Sequence, residues 1–138
     1  MKRREFIRLT AAGSVAGLVV SGRALGESAE AEMAGGVYYS QRAPGRWQGK
    51  ETGHVPYVEK LDKGVLRVTT PHPMDGYDHY IVKHIVLDRN YRFLAENLFD
   101  PIKDKTPISE FTLEDQQGPI YILSVCNLHD TWLKSYSL

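Results

Sequence analysis

From Tyr57 onward the chain is a series of short runs rich in Val, Ile, Leu, Thr and aromatic residues, each closed by turn residues. None of these runs carries apolar residues at the three-to-four spacing of an amphipathic helix. Tyr57-Val58 opens the first run, and residues 65–69 form a second that stops before Pro71. Residues 79–87 are the longest, with Tyr80, Val82, Ile85 and Val86 marking a mostly buried strand. Asp88-Arg89-Asn90 turns the chain into residues 91–96, and residues 109–113 alternate with Phe111 and Leu113 on one face. Gln116-Gln117-Gly118 leads into the apolar run 119–125, and residues 132–136 close the series. Strands of this number and spacing predict an all-β fold, an antiparallel β-sandwich of about seven strands.

The first 26 residues do not belong to that pattern. Lys2-Arg3-Arg4-Glu5-Phe6-Ile7-Arg8 is a basic segment with an arginine pair, residues 9–20 are an apolar run, and Ala24-Leu25-Gly26 supplies small residues. This order reads as a twin-arginine export signal with its cleavage site, which predicts a periplasmic protein. The apolar run is shorter than the roughly 20 residues a membrane span needs. A basic helix that stays attached is the other reading of the segment. Residues 27–46 are poor in aliphatics and form an irregular lead-in, which leaves residues 47–138 as the folded domain. The full chain has 17 basic and 17 acidic residues. Setting aside the five basic residues and one acid of the signal leaves 12 basic against 16 acidic, a net charge of −4. No basic patch supports binding to nucleic acid.

The twin-arginine route carries folded proteins, often with a cofactor already in place. Cys126 is the only cysteine, so no internal disulfide is available to an exported chain. It stands three residues before His129, where an apolar run gives way to a loop, a spacing at which one turn can offer two metal ligands. A buried strand-end thiol explains Cys126 equally well. His72 lies between Pro71 and Pro73, which restrict the local backbone. His79 follows the Asp75-Gly76 turn, and His54 precedes Val55-Pro56. Each of these reads by itself as a surface histidine. His84 sits inside the longest run, an odd number of residues from His79, and so points to the opposite face. It reads as a packing or cross-strand residue. Four loop histidines and one thiolate would fill five positions around a transition metal and leave a sixth open.

Three sequence blocks together resemble the superoxide reductase family, the desulfoferrodoxin and neelaredoxin proteins. These are His54-Val55-Pro56, then His72-Pro73-Met74 with His79-Tyr80-Ile81, then Cys126-Asn127-Leu128-His129 with Trp132. The resemblance implies an immunoglobulin-like β-sandwich. It implies one mononuclear iron, with His54, His72, His79 and His129 in a plane, Cys126 axial, and superoxide at the open position. The implied reaction is one-electron reduction of superoxide to hydrogen peroxide, fed by an electron-donor protein that the sequence does not name. With one cysteine the chain has no second, rubredoxin-like iron domain, so it resembles the one-iron class. Family members are often oligomers, which leaves a homo-oligomer open.

The chain departs from the family's pattern in three places. The family has Glu-Lys directly before its first ligand histidine; here Thr52-Gly53 occupy those places, and Lys50 and Glu51 lie two residues upstream in reversed order. Lys50 and Glu51 are the candidates for attracting superoxide and for capping the oxidised metal, with solvated loop charges as the competing reading. The His72–His79 spacing is one residue longer than the family's. Asp130 stands where the family has glycine after the last histidine. Two other functions fit parts of this set: a cupredoxin-like electron carrier, which uses two histidines, a cysteine and a weak methionine, and a periplasmic iron-binding module without turnover.

Overall fold

The computed structural model of the protein describes residues 33–138. The arginine pair, the apolar run and the cleavage site lie outside the described residues. Seven strands form two antiparallel sheets: β1 (Tyr57–Lys60), β2 (Val65–Thr69) and β5 (Ile108–Thr112) in the order β1-β2-β5, and β3 (Ile81–Leu87), β4 (Phe93–Leu98), β6 (Pro119–Cys126) and β7 (Asp130–Ser137) in the order β4-β3-β6-β7. The all-β sandwich expected from the alternation is the fold observed. In immunoglobulin terms the fourth strand sits beside the third instead of extending the first sheet. Among the described residues, helix is confined to single turns at Gly45–Trp47, Glu51–His54 (α1) and Asp62–Gly64. None of these is long and apolar enough to cross a membrane.

Several strand limits shift by one or two residues from those the sequence runs predict, for local reasons. β3 begins at Ile81 because His79 belongs to a small loop closed by the Asp75–His79 bridge, with Gly76 at φ 55°. β4 begins at Phe93 because Tyr91 takes φ 64° to complete the turn, donating its N–H to the Asp88 carbonyl. β7 starts two residues earlier than Trp132 because β6 and β7 pair along their whole length, from Pro119–Ser137 to Cys126–Asp130. The lead-in is tied to the second sheet: Tyr39 donates its N–H to Thr131 and accepts from Leu133, and its ring packs 5.7 Å from Trp132.

The core is what period-two alternation requires. Val58, Leu66, Val68, Val86, Phe111, Leu113, Ile120 and Ile122 turn inward from the two sheets and pack together. Large apolar side chains of this kind contribute about 1.5–3 kcal/mol each on burial. Antiparallel topology then decides where the candidate ligands fall. In such a sandwich the starts of β1, β3 and β7 and the ends of β2 and β6 share one end. His54, His79 and His129 lie three, two and one residues before those three starts; His72 follows β2 and Cys126 ends β6.

Candidate metal centre

At that end the five residues converge. His54, His72, His79, Cys126 and His129 each offer one donor atom, and the five atoms lie within 4.8 Å of one another. His54 Nε2 is 3.1 Å from His129 Nδ1, His129 Nδ1 is 3.1 Å from His79 Nε2, and His79 Nε2 is 3.1 Å from His72 Nε2. Ring centroids of neighbours are 4.5–4.9 Å apart, while the diagonal pair His54 and His79 are 6.3 Å apart. The four imidazoles therefore stand at the corners of a square. A square of 3.1 Å edge has corners about 2.2 Å from its centre, close to an ordinary metal–imidazole distance of about 2.0–2.1 Å. The Cys126 sulfur lies 3.6 Å from His129 Nδ1 and 4.0 Å from His72 Nε2.

Two of the four imidazoles are aimed by a local hydrogen bond, and the other ligand segments are held through their neighbours. His54 ends α1, and its Nδ1–H donates to the Lys50 carbonyl one turn back at 2.7 Å. His72 Nδ1–H donates to the Pro73 carbonyl. Both rings therefore carry their proton on the outer nitrogen and present a bare Nε2 lone pair to the centre. Asn127 staples two ligand segments together: its Oδ1 accepts the Tyr80 N–H at 2.9 Å, and its Nδ2 donates to the Tyr77 and Asp78 carbonyls. The loop bearing His79 is thus fixed to the turn bearing Cys126 and His129. The Trp132 indole N–H donates to the His129 carbonyl at 2.8 Å, and its ring lies 5.4 Å from His54.

The electrostatics favour neutral imidazoles. Burial pushes His54 down to about 4, against the Lys50 carbonyl, which favours its charged form. Burial also lowers His72. His129 is lowered by burial first, then by His79 and by the Lys50 ammonium. Burial pushes the Cys126 thiol up, although the backbone N–H groups of Leu128 and His129 favour its thiolate. Bare Nε2 lone pairs of His54 and His72 converging on two further imidazoles, beside a thiol that a cation would ionise, are the chemistry of a metal site. The residues present fit a single transition ion with four nitrogens and one sulfur. His54, His72 and Cys126 are buried, whereas His79 and His129 are partly exposed, so solvent reaches the site over those two rings.

The two charged candidates separate. Lys50 is exposed, and its ammonium acts on His129. The Glu51 carboxylate instead accepts the Gly49 N–H at 2.9 Å, which turns it back on its own loop. Asp130 is explained by backbone: it takes φ 63°, the left-handed region that aspartate tolerates better than most residues. Its carboxylate binds Arg46 at 2.6 Å and the Trp47 indole at 2.8 Å. Arg46 stacks 4.7 Å over Trp47, and Trp47 meets the His129 ring edge-on at 4.7 Å. The clamp was not visible in the sequence; its only signal was an aspartate in a position that favours glycine. His84 takes no part in the donor set and is fully buried.

The desulfoferrodoxin family model matches residues 46–135, more than half of the chain. Two solved variants of the superoxide reductase (neelaredoxin) from Ignicoccus hospitalis are similar in fold. One has a TM-score of 0.63 at 24% identity over 75% of this chain and 94% of that one; the other has 0.59 at 25% identity over 78% and 94%. The superoxide reductase (1Fe-SOR) from Giardia intestinalis has a TM-score of 0.54 at 19% identity, over 64% of this chain and 100% of that one. A comparison with curated proteins returns no match. The matched span contains all five converging donors, and the chain belongs to the desulfoferrodoxin family.

Proposed function

We propose that this protein is a one-iron superoxide reductase whose metal is held by His54, His72, His79, His129 and Cys126. The observation that carries the reading is the cluster of four imidazole nitrogens and one sulfur within 4.8 Å, inside the span matched by the family. Held by these five residues, a ferrous ion would supply the one electron by which superoxide, taking two protons from solvent, becomes hydrogen peroxide, and a donor protein would restore that electron.

The chain's residues account for the rest. Four neutral imidazoles and one thiolate leave a divalent ion with a net charge of about +1, which favours an anion over the negative average of residues 27–138. Donors fixed by the Lys50 and Pro73 carbonyls need little rearrangement when the metal changes charge. His79 and His129 line the exposed side where a small anion enters. Lys50 adds positive charge on the His129 side and takes the part of the attracting lysine, from a position two residues displaced. Glu51, tied to Gly49, has no part in capture.

Rapid mixing of the reduced, iron-loaded protein with pulsed superoxide tests this. Oxidation of the ferrous centre near the diffusional ceiling, roughly 10⁸–10⁹ M⁻¹s⁻¹, is expected. A centre that binds iron and stays reduced excludes the reaction. Residues 1–26 belong to the same proposal as an export signal delivering the domain of residues 47–138, with iron bound, to the periplasm. Replacing Arg3 and Arg4 by lysine is expected to retain the protein in the cytoplasm on fractionation.

A further inference from the structure

Two inward-facing ladders meet across the sandwich. Along β2 and beyond it the buried residues are Leu66, Val68, Thr70 and His72; along β6 they are Ile120, Ile122, Ser124 and Cys126. Both run aliphatic, aliphatic, hydroxyl, ligand, and all eight are 5% exposed or less. They belong to different sheets, so no ladder of backbone hydrogen bonds sets the distance between them. The two hydroxyls do so. Thr70 Oγ1 and Ser124 Oγ are 2.8 Å apart, directly below the level at which His72 Nε2 and Cys126 Sγ stand 4.0 Å apart.

His84 extends this layer sideways. Its Nε2 is 2.8 Å from Thr70 Oγ1 and its Nδ1 is 2.8 Å from Ser109 Oγ, so β3 and β5 join as well. The chain Ser109–His84–Thr70–Ser124 is self-consistent in either direction: a neutral imidazole has one N–H and one lone pair, and each hydroxyl can pass the sense along. Among the described residues no buried side-chain nitrogen or oxygen lacks a partner. Thr70 is pinned at its backbone too, donating to the Pro107 carbonyl at 3.1 Å and accepting the His72 N–H at 2.8 Å. Aliphatic contacts between sheets tolerate sliding. Hydrogen bonds of 2.8 Å do not, and a satisfied buried network specifies one arrangement.

We infer that Thr70, Ser124 and His84 are positioning residues of the metal centre, a buried hydroxyl–imidazole layer that fixes the separation of His72 from Cys126 between the two sheets. The inference rests on the five-residue donor set and is independent of the reaction with superoxide.

The test uses the full chain loaded with iron(II), and reads the iron dissociation constant and, after oxidation, the energy of the sulfur-to-iron charge-transfer band. Thr70→Val keeps the side-chain volume, removes the hydroxyl, and leaves His84 and Ser124 without their shared partner. It is expected to weaken iron binding about tenfold or more, as loss of outer-shell partners does, and to move the band. Thr70→Ser, which restores the hydroxyl, is expected to return both to the unmodified values. Val68→Ala opens a cavity on the same ladder and is expected to lower thermal stability while leaving affinity and band in place. Thr70→Val with unmodified affinity and band overturns the inference, as does Val68→Ala moving them equally far. If Thr70→Val does not fold, Ser124→Ala is read by the same two measurements with the same outcomes. Unmodified protein that binds iron but does not reduce superoxide removes only the reaction. Unmodified protein that binds no iron removes the donor set and this inference with it.

Discussion

Asp130 holds Trp47: its Oδ2 accepts the indole N–H at 2.8 Å across 83 residues of sequence. The same oxygen takes Arg46, and Gly45 beside it sits at φ 50° where any Cβ would strike the Gly35 carbonyl. The lead-in is thereby packed against the turn that carries His129, and the edge of Trp47 rests on the His129 ring.

Substitution at Asp130 separates the clamp from the backbone. Asp130→Gly removes the carboxylate but suits the positive φ; Asp130→Ala removes it and adds the strain of a Cβ in the left-handed region. Both variants are expected to shift the Trp47 fluorescence. Asp130→Ala is expected to be less stable than Asp130→Gly by about 1 kcal/mol, measured by urea unfolding.

Cys126 is the only sulfur in the donor set. Cys126→Ser is expected to abolish the sulfur-to-iron absorption and to weaken iron binding at least tenfold, read by titration under visible absorption. Removing iron from the unmodified protein with a chelator is expected to lower its melting temperature. A ligand at a hundred times its dissociation constant stabilises the folded state by about 2.7 kcal/mol.

Lys50 and Glu51 are neighbours with opposite expectations. Lys50→Ala is expected to slow superoxide capture several-fold and to flatten its dependence on ionic strength, because a steering charge acts on the encounter rate. Glu51→Ala is expected to leave capture nearly unchanged, since its carboxylate is engaged with Gly49. Pulsed-superoxide kinetics at two salt concentrations compare the two.

His84 predicts a pH dependence. Burial pushes its pKa down to about 4 from an ordinary value of 6.5. The unfolded chain therefore binds the proton first as pH falls, and stability is full above about 6.5 and lost as pH drops toward 4. The shift corresponds to about 3 kcal/mol. His54, also pushed to about 4 by burial, adds to the same trend in the metal-free protein. Unfolding of His84→Gln at pH 7.5 and 4.5 isolates the first contribution: the variant is expected to lose less stability between the two pH values than the unmodified protein.

Residues that act through their neighbours in sequence were legible without coordinates. Alternation along 109–113, and short apolar runs closed by turn residues at 65–69 and 119–125, marked strands, and Phe111 and Leu113, expected on one face, are inside. The donor set was legible because ligand chemistry restricts residue type and because the candidates bordered turns. His84 is rightly set apart from it, but the parity count from His79 does not carry that result: His79 lies in a loop before β3, and a register shift between Ile81 and Lys83 breaks the alternation. Strand ends were less legible, since apolar character runs past the last ladder hydrogen bond.

What the sequence by itself determined is the strand pattern, hence an antiparallel sandwich, and the short list of nitrogen and sulfur donors. Only the tertiary structure decided how those donors meet. The Asn127 staple, the Asp130 clamp and the Thr70–Ser124 contact join residues 47 to 84 positions apart, and the two contacts that His129 makes in the square of imidazoles join residues 50 and 75 apart. A local pattern carries no record of such a distance. It arises when two sheets pack face to face and the ends of their strands are brought to one side of the core.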